Sequence, residues 1–349
     1  MKIKLTLYFV LLITISFYFL HCNNKNDNLV LSIPIKNYKN ETFISVDYTF
    51  LNEGLHKPSE IRINPITHDI VVLDEGNVCL YVFSSEGKFI RKIGNIGQGP
   101  GDLLGPAHFE IDRYGIIYVY EKINLRISKF SSNGKFIKSF RINSLGSYPS
   151  FTIDDNQNII ARVSGSGYYI TVFSQDGEHV KNIGVVPEIN KKFPQINDEY
   201  ARNFAFKKNG DYIVFLKHLP MIKIFDDSGN LIKEISLLKE IELTTKLVNV
   251  ENLTSLIYQN FYHEIILRDN YFYILLNNRE DLLPQLDNVR ILVLDNKFNL
   301  INKINLPLKN KLKIISGGLR LKFEYEPQKN IIYLPFIQNS EILSFKHLN

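Results

Sequence analysis

The stretch "GNIGQGPGDLLGPAHFEIDRYGIIYVYEKINLRISKFSSNGKFI" (residues 94–137) holds one complete structural repeat. A glycine-rich segment precedes four short runs that alternate apolar and polar residues, which is the pattern of half-buried β-strands. The last two runs flank Gly134, in a slot where a tight hairpin favours positive φ. This closing phrase recurs as "VFSSEGKFI" (82–90), "KFSSNGKFI" (129–137), "VFSQDGEHV" (172–180) and "IFDDSGNLI" (224–232). In a fifth copy, "VLDNKFNLI" (293–301), Phe298 replaces the glycine, and we expect that hairpin to be looser.

A second phrase precedes each closing phrase and predicts another pair of strands around an Asn/Asp/Gly turn. It reads "EIRINPITHDIVVLD" from Glu60, "HFEIDRYGIIYVYE" from His108, "SFTIDDNQNIIARV" from Ser150, "NFAFKKNGDYIVFL" from Asn203, "EIILRDNYFYILLN" from Glu264 and "LKFEYEPQKNIIYLP" from Leu321. The two phrases together make a unit of four antiparallel strands, and six such units follow one another. Four-stranded units that repeat every 40 to 50 residues or so are typical of a β-propeller.

The sixth unit ends at "EILSFKHLN", before a fourth strand can form. A strand-like run, "TFISVDYTF" (42–50), stands before the first unit and can supply the missing strand, because a propeller leaves no unpaired joint when its ring closes. The sequence therefore predicts an all-β fold over residues 41–349. This fold is a six-bladed β-propeller of four-stranded antiparallel blades, with the last blade closed by an N-terminal strand.

The glycine-rich start of the quoted stretch is best interpreted as a connector between blades. No Gly-Lys-Ser/Thr follows it, and Pro100 removes an N–H group that a phosphate cradle would use. Asp102 occupies the position of the third glycine in a dinucleotide fingerprint. The glycines assigned to the connector are Gly94, Gly97, Gly99 and Gly101.

The same stretch resembles an NHL-type repeat. The shared features are Gly-x-x-Gly-x-Gly, a proline before the first strand, Asp-x-x-Gly, Ile-Tyr-Val, Asn-x-Arg-Ile and a closing Gly-Lys-Phe. Tyr120 and Glu121 depart from the acid and small polar residue that usually follow Tyr-Val. Together with the N-terminus described next, the chain resembles the six-bladed, NHL-type propeller lipoproteins of Gram-negative bacteria. The likeness is strongest over blades one and two and fades through the others.

The N-terminus has the pattern of a bacterial lipoprotein signal peptide. Lys2 and Lys4 precede an apolar run from Leu5 to Leu20, whose 16 residues are short of the ~20 that span a bilayer. We expect residues 1–21 to be removed, Cys22 to be lipidated, and residues 22–40 to form a polar tether. His21 departs from the small residue usual before that cysteine. The alternative is an uncleaved membrane anchor.

Charge and cysteine content exclude several classes of protein. The formal charge is +5, and it falls to +3 without Lys2 and Lys4, so no basic stripe for nucleic acid is present. With Cys22 acylated, Cys79 is the remaining thiol; it lies in the apolar run "VCLYVF" and is expected to be buried and structural. We expect a monomer in the cell envelope, anchored by its lipid to the outer membrane or the periplasmic face.

Long insertions collect on one face of the predicted propeller. Residues 94–105, 183–199, 238–260, 279–289 and 308–319 all follow the second or fourth strand of a blade, whereas the glycine hairpins lie on the opposite face. Loops on a rigid scaffold commonly carry binding. We therefore predict a non-enzymatic module that binds a protein or glycan partner on this insertion-rich face. The alternative is that the loops only support one another. Residues 238–260 also have the apolar spacing of a helix.

Polar residues on the first strand of each blade are predicted to line the channel mouth. They are Glu60, Arg62, His108, Glu110, Asn203, Glu264, Lys322 and Glu324. They form either a binding pocket at the axis or an ordinary hydrated channel mouth. A second candidate function is a metal-assisted lyase or hydrolase that uses His108, Glu110 and His263 with Zn²⁺ or Ca²⁺. No local spacing in the sequence specifies three converging ligands, so no cofactor is predicted.

Overall fold

The computed structural model describes residues 31–32, 39–46, 54–146, 149–188, 202–237, 262–276, 288–307, 321–336 and 341–347. These residues form strands and turns. Among them, no helix reaches the length and apolarity that a membrane span requires.

Twenty-five strands are present in the described residues. Two precede the blades: β1 (Leu31–Ser32) and β2 (Lys39–Val46). Blades one to three contain β3 (Pro58–Ile63), β4 (Ile70–Asp74), β5 (Cys79–Phe83), β6 (Phe89–Ile93), β7 (Pro106–Ile111), β8 (Ile117–Glu121), β9 (Arg126–Phe130), β10 (Phe136–Arg141), β11 (Phe151–Ile153), β12 (Ile159–Ala161), β13 (Tyr168–Phe173) and β14 (His179–Val185). Blades four to six contain β15 (Asn203–Lys208), β16 (Asp211–Leu216), β17 (Met221–Phe225), β18 (Leu231–Ser236), β19 (Tyr262–Arg268), β20 (Tyr271–Leu276), β21 (Asn288–Leu294), β22 (Leu300–Pro307), β23 (Glu324–Glu326), β24 (Ile331–Phe336) and β25 (Glu341–His347).

Successive strands within each blade pair antiparallel, in sequence order from the first strand to the last. The predicted six-bladed all-β propeller is confirmed. The pattern that produced the prediction is also the physical cause of the fold. The middle strands are apolar at nearly every position because both faces of a blade pack against neighbouring blades.

The hydrophobic core lies between the blades rather than inside any one of them. In blade one, Ile70 and Val72 pack against blade six, whereas Val71 and Leu73 pack against blade two. Within the described residues, six apolar clusters of this kind occupy the six interfaces between neighbouring blades, including that between blades six and one. Each blade is therefore held by the two beside it.

The N-terminal strands run along the outer edges of the last three blades. β1 pairs parallel with β18, and residues 39–42 of β2 pair parallel with β22 of blade five. Residues 43–46 of β2 then pair antiparallel with β25, in the fourth position of blade six. Backbone pairing thus begins inside the segment 22–40 that we predicted as a tether, because an edge strand offers free backbone groups to segments of any composition.

The hairpin at Phe298 differs from our expectation that it would be looser. Its backbone closes as in the glycine hairpins: Phe298 N–H donates to Asp295 at 3.0 Å, as Gly87 N–H donates to Ser84 at 2.9 Å. Phe298 adopts φ 65° and is buried, with its ring stacked on Phe272 at 5.6 Å between centroids. Packing of the ring holds the backbone in a left-handed conformation that costs an L-residue energy.

Several predicted features fall outside the described residues. They are the signal peptide, Cys22, the helix at 238–260, and most of the insertions at 183–199, 279–289 and 308–319.

Candidate functional site

Arg62 is the centre of a buried ion-pair network at the propeller axis. Its Nη2 lies 2.7 Å from Glu110 and 3.2 Å from Glu264, and its Nε lies 3.2 Å from both oxygens of Glu110. Nη1 donates to the carbonyl of Ile61 at 2.8 Å. The side chain is 2% exposed. Period-two alternation explains the position, because Ile61 packs between blades while Arg62 faces the axis.

His108 links blades one, two and three within this network. Its Nδ1 lies 2.9 Å from a carboxylate oxygen of Glu60, and its Nε2 lies 3.0 Å from the carbonyl of Phe151. Glu60 also accepts the N–H of Phe109 at 3.1 Å. A carbonyl only accepts hydrogen bonds, and an ionised carboxylate does the same, so both contacts are satisfied when each ring nitrogen of His108 carries a proton.

Lys322 completes the network from blade six. Its Nζ contacts Glu264 directly and lies 3.3 Å from Glu60. Burial alone would raise the pKa of the Glu60 carboxyl, but the positive charges of His108 and Lys322 outweigh it and hold that pKa well below its usual range. Burial and Arg62 oppose each other in the same way at Glu110, whose pKa is also lowered.

Two of the eight predicted channel residues lie outside this network. Glu324 is fully buried and pairs with Arg268, whose Nε is 2.7 Å away. Arg268 is a site residue that sequence reasoning missed, although it is the polar end of the phrase "EIILRD". Asn203 instead turns back to blade three, where its side-chain amide donates to the carbonyl of Tyr169 at 2.9 Å.

Strand register explains why Asn203 is misplaced. In blades one to four the third strand ends at a phenylalanine, and the second-strand residue opposite it pairs in turn with one residue of the first strand. These first-strand residues are therefore equivalent; they are Ile63, Ile111, Ile153 and Lys207. Arg62 and Glu60 lie one and three residues before Ile63. In blade four, Phe206 and Phe204 lie one and three residues before Lys207 and so occupy the equivalent positions. The Asn203 prediction assumed the opposite alternation and is wrong by one residue.

The axis is consequently divided into a charged half and a largely neutral half. Blades one, two, five and six contribute the ionised groups described above. Thr152, Phe204, Phe206 and Ile266 face the same space from the other side. A cavity of about 130 Å³ lies between the halves. A second cavity of about 280 Å³ shares Arg62, Ile111 and Arg268 with the first and reaches the turns between first and second strands.

The geometry gives no support to a metal site built on His108, Glu110 and His263. Both ring nitrogens of His108 are hydrogen-bonded, and Glu110 is paired through Arg62. His263 is half-buried at the start of β19. In the part of the chain that the structure describes, no three His, Cys, Asp or Glu side chains are grouped to hold a metal ion.

The glycine-rich segment joins β6 to β7 and is tied to blade two. Its backbone folds on itself, with Leu103 N–H donating to Asn95 at 2.7 Å. Arg126, from the Asn-x-Arg-Ile motif, donates to the carbonyl of Asp102 at 2.8 Å and pairs with Glu121 at 2.7 Å. Glu121 also accepts the N–H of Leu104 at 2.9 Å. The motif residues therefore hold the connector against blade two.

Cys79 is a free, buried thiol, as predicted from its apolar run. Burial and the neighbouring charge of Asp74 raise its pKa to about 11. Such a thiol is protonated and unreactive at neutral pH.

Comparison with known proteins agrees with this architecture. A family model described as "6-bladed beta-propeller" matches residues 23–159. Over 130 residues, the chain is 28% identical to Protein brain tumor of Drosophila melanogaster. That match covers 37% of this chain and 12% of the relative, so the chain spans about an eighth of the relative's length.

Solved structures show the same fold at low identity. A Bacteroides fragilis protein named as exported superposes with a TM-score of 0.54 at 14% identity, covering 88% of this chain and 99% of that one. A virginiamycin B lyase of Staphylococcus aureus gives a TM-score of 0.47 at 12% identity, covering 87% and 88% of the two chains. The first likeness is one of fold, and the second is too low to support an argument.

Proposed function

We propose that the protein is an extracytoplasmic lipoprotein, acylated at Cys22, whose propeller is a rigid scaffold for binding a protein or glycan partner. The supporting observation is that the charged groups of the axial network are paired with groups of opposite charge. His108, Glu110 and Glu60 pair with one another, with Arg62 and with Lys322, so none of the three is left as a spare base. Charges arranged in this way stiffen a scaffold rather than catalyse a reaction.

Two features of the sequence support the location and the binding face. The signal-like N-terminus ends at Cys22, and the fold neighbour in Bacteroides fragilis is named as exported. The long insertions collect on one face, opposite the short glycine hairpins. The binding surface in this proposal is that insertion-rich face.

Lipidation is tested by labelling cells with radioactive palmitate. Cys22→Ala should abolish the label, and globomycin treatment should make a labelled, uncleaved precursor accumulate in place of the shorter mature form. Cys79→Ala, the matched control, should keep the label. If the unmodified sequence stays in the membrane fraction without label and does not become shorter, the uncleaved anchor is supported instead.

Partner binding is tested by a pull-down from intact membranes. Short turns grafted in place of 189–199 and 238–260, which leave β14 and the buried Ile183 intact, should abolish capture of the partner. Glu86→Asn, which converts the hairpin at 84–88 into the sequence of that at 131–135, is the control on the opposite face and should leave capture intact. If the grafts have no effect while Glu60 or Glu110 variants do, the binding site is at the axis.

Metal analysis of the purified protein addresses the rival enzyme. A stoichiometric ion that is lost in a His108→Ala, His263→Ala double variant would overturn the proposal of a non-enzymatic module.

A further inference from the structure

The larger axial cavity opens on the face opposite the insertions, away from the proposed partner-binding face. The turns between the first and second strands surround it, and they contribute His68 from blade one, Asp269 from blade five and Gln328 from blade six. These three side chains are exposed at the cavity mouth. Within the described part of the chain, no side-chain hydrogen bond occupies them.

The floor of the cavity is preorganised. Arg268 is fixed by Glu324 and by the carbonyl of Leu267, to which its Nη1 donates at 2.8 Å. Each guanidinium carries five N–H groups, so Arg268 keeps donors beyond those used in these contacts. Donors held in place before a ligand arrives cost little entropy on binding.

The walls supply apolar surface between the polar groups. Ile63 and Ile111 line one side, and the ring of Tyr325 lines the other. Tyr325 is held by its hydroxyl, which donates to Asn330 at 2.9 Å, and by contact with Tyr273 at 4.7 Å between ring centroids.

The charges of the lining argue against an anionic ligand. Each arginine of the lining has a carboxylate partner: Glu110 for Arg62, Glu324 for Arg268 and Asp155 for Arg113. Glu326 pairs with Lys329 at 3.2 Å. Apart from the carboxylate of Asp269, the charged groups of the lining are paired with groups of opposite charge. An anionic ligand would therefore find no unpaired cation.

We infer that this cavity, bordered by His68, Asp269, Gln328 and Arg268, binds a neutral, hydroxyl-rich ligand of about one sugar ring. Hydroxyl groups both donate and accept, which matches Asp269, Gln328 and Arg268. The C–H face of such a ring matches Ile63, Ile111 and Tyr325. The volume of 280 Å³ lies just below the ~300–1,000 Å³ of pockets for drug-sized ligands, which suits one ring.

The inference is tested by ligand-observed NMR titration of the full mature protein with single sugars. The panel contains glucose, galactose, mannose and N-acetylglucosamine, with glucuronic acid and inorganic phosphate as charged probes. We expect at least one neutral sugar to bind, and Gln328→Trp, which fills the mouth, to weaken its binding at least tenfold. Gln175→Trp places the same ring on an exposed hairpin of the same face and should leave binding unchanged.

A second variant tests the polar contact itself. Asp269 has φ 46°, a conformation that asparagine tolerates, so Asp269→Asn should fold normally and weaken binding at least threefold. Preferential binding of phosphate or glucuronic acid, an equal loss in Gln175→Trp, or the absence of binding by every neutral sugar would each overturn the inference. Loop grafts at 189–199 and 238–260 should leave sugar binding intact, which separates this site from the proposed partner face.

Discussion

Arg62 shows how one side chain can join distant parts of the propeller. It comes from blade one, yet its guanidinium contacts Glu110 of blade two and Glu264 of blade five. With His108 protonated, the axial carboxylates Glu60, Glu110, Glu264 and Glu324 balance Arg62, Arg268, Lys322 and His108 in number. A buried network of this kind stabilises only while each charge has its partner.

Removing Arg62 should therefore destabilise the fold strongly. Arg62→Met leaves two buried carboxylates without their guanidinium, and we expect the free energy of unfolding in urea to fall by about 3–5 kcal/mol. Arg113→Met is the control, because Arg113 is exposed and its loss should change stability by less than ~0.5 kcal/mol. A loss below ~1 kcal/mol for Arg62→Met would show that the network contributes little.

The lowered pKa values of Glu60 and Glu110 predict sensitivity to acid. A carboxyl whose pKa is lower in the folded protein stabilises the fold above its unfolded pKa of about 4.3, and this contribution is lost as the pH falls through the folded pKa. We expect the melting temperature to decline from pH 5 towards pH 3. Glu60→Gln should lower it at pH 7 and flatten the decline.

Glu178→Gln, on an exposed hairpin, is the control for this pH series and should keep the slope of the unmodified protein. An unchanged slope in Glu60→Gln would show that acid sensitivity arises elsewhere.

Sequence patterns predicted most residues of the axial network, but not how they pair and not where the network ends in blade four. Glu60, Arg62, His108 and the acids and lysine around them were identified because alternation places them opposite apolar residues. The pairing itself was not predictable, since it joins residues as far apart as Arg62 and Glu264. Asn203 failed because, in blade four, apolar residues occupy both possible faces and alternation alone does not choose between them.

At the scale of elements, every complete hairpin phrase carries a β-bulge that sequence reasoning missed. In each of these hairpins, the second residue of the fourth strand has no pairing partner in the third strand. These residues are Ile90, Ile137, Val180, Ile232 and Ile301. The first four are exposed. Two adjacent apolar residues, such as Phe89 and Ile90, break the period of two and are the signal that could have revealed the bulge. Bulges twist an outer strand and protect it from pairing with another chain.

Phe298 offers a test of backbone strain against side-chain burial. Phe298→Gly removes the cost of positive φ, about 1–2 kcal/mol, but loses a buried ring worth about 3–5 kcal/mol. We expect a net loss of about 2–3 kcal/mol in the free energy of unfolding. Phe298→Ala loses the ring and keeps the strain, so it should be less stable than the glycine variant by about 1 kcal/mol. A stabilising glycine variant would mean that the ring contributes less than the strain costs.

At the scale of the whole molecule, stability is shared around a ring of six interfaces, and the ring closes where blade six packs against blade one. β2 is the outermost strand of blade six and also borders blade five, pairing antiparallel with β25 and parallel with β22. Without it, both outer strands present unpaired backbone groups to solvent.

Truncation of the N-terminus should therefore weaken the ring as a whole. We compare a soluble chain that begins at Asn37, and so keeps β2, with one that begins at Asp47. The shorter chain should melt at a lower temperature, over a broader range, and should aggregate through its exposed β22 and β25 edges. Loss of β1 is common to both chains, because β1 ends at Ser32, so the difference reports on β2 alone. Identical melting curves would show that blade six closes on blade one through side-chain packing and needs no fourth strand.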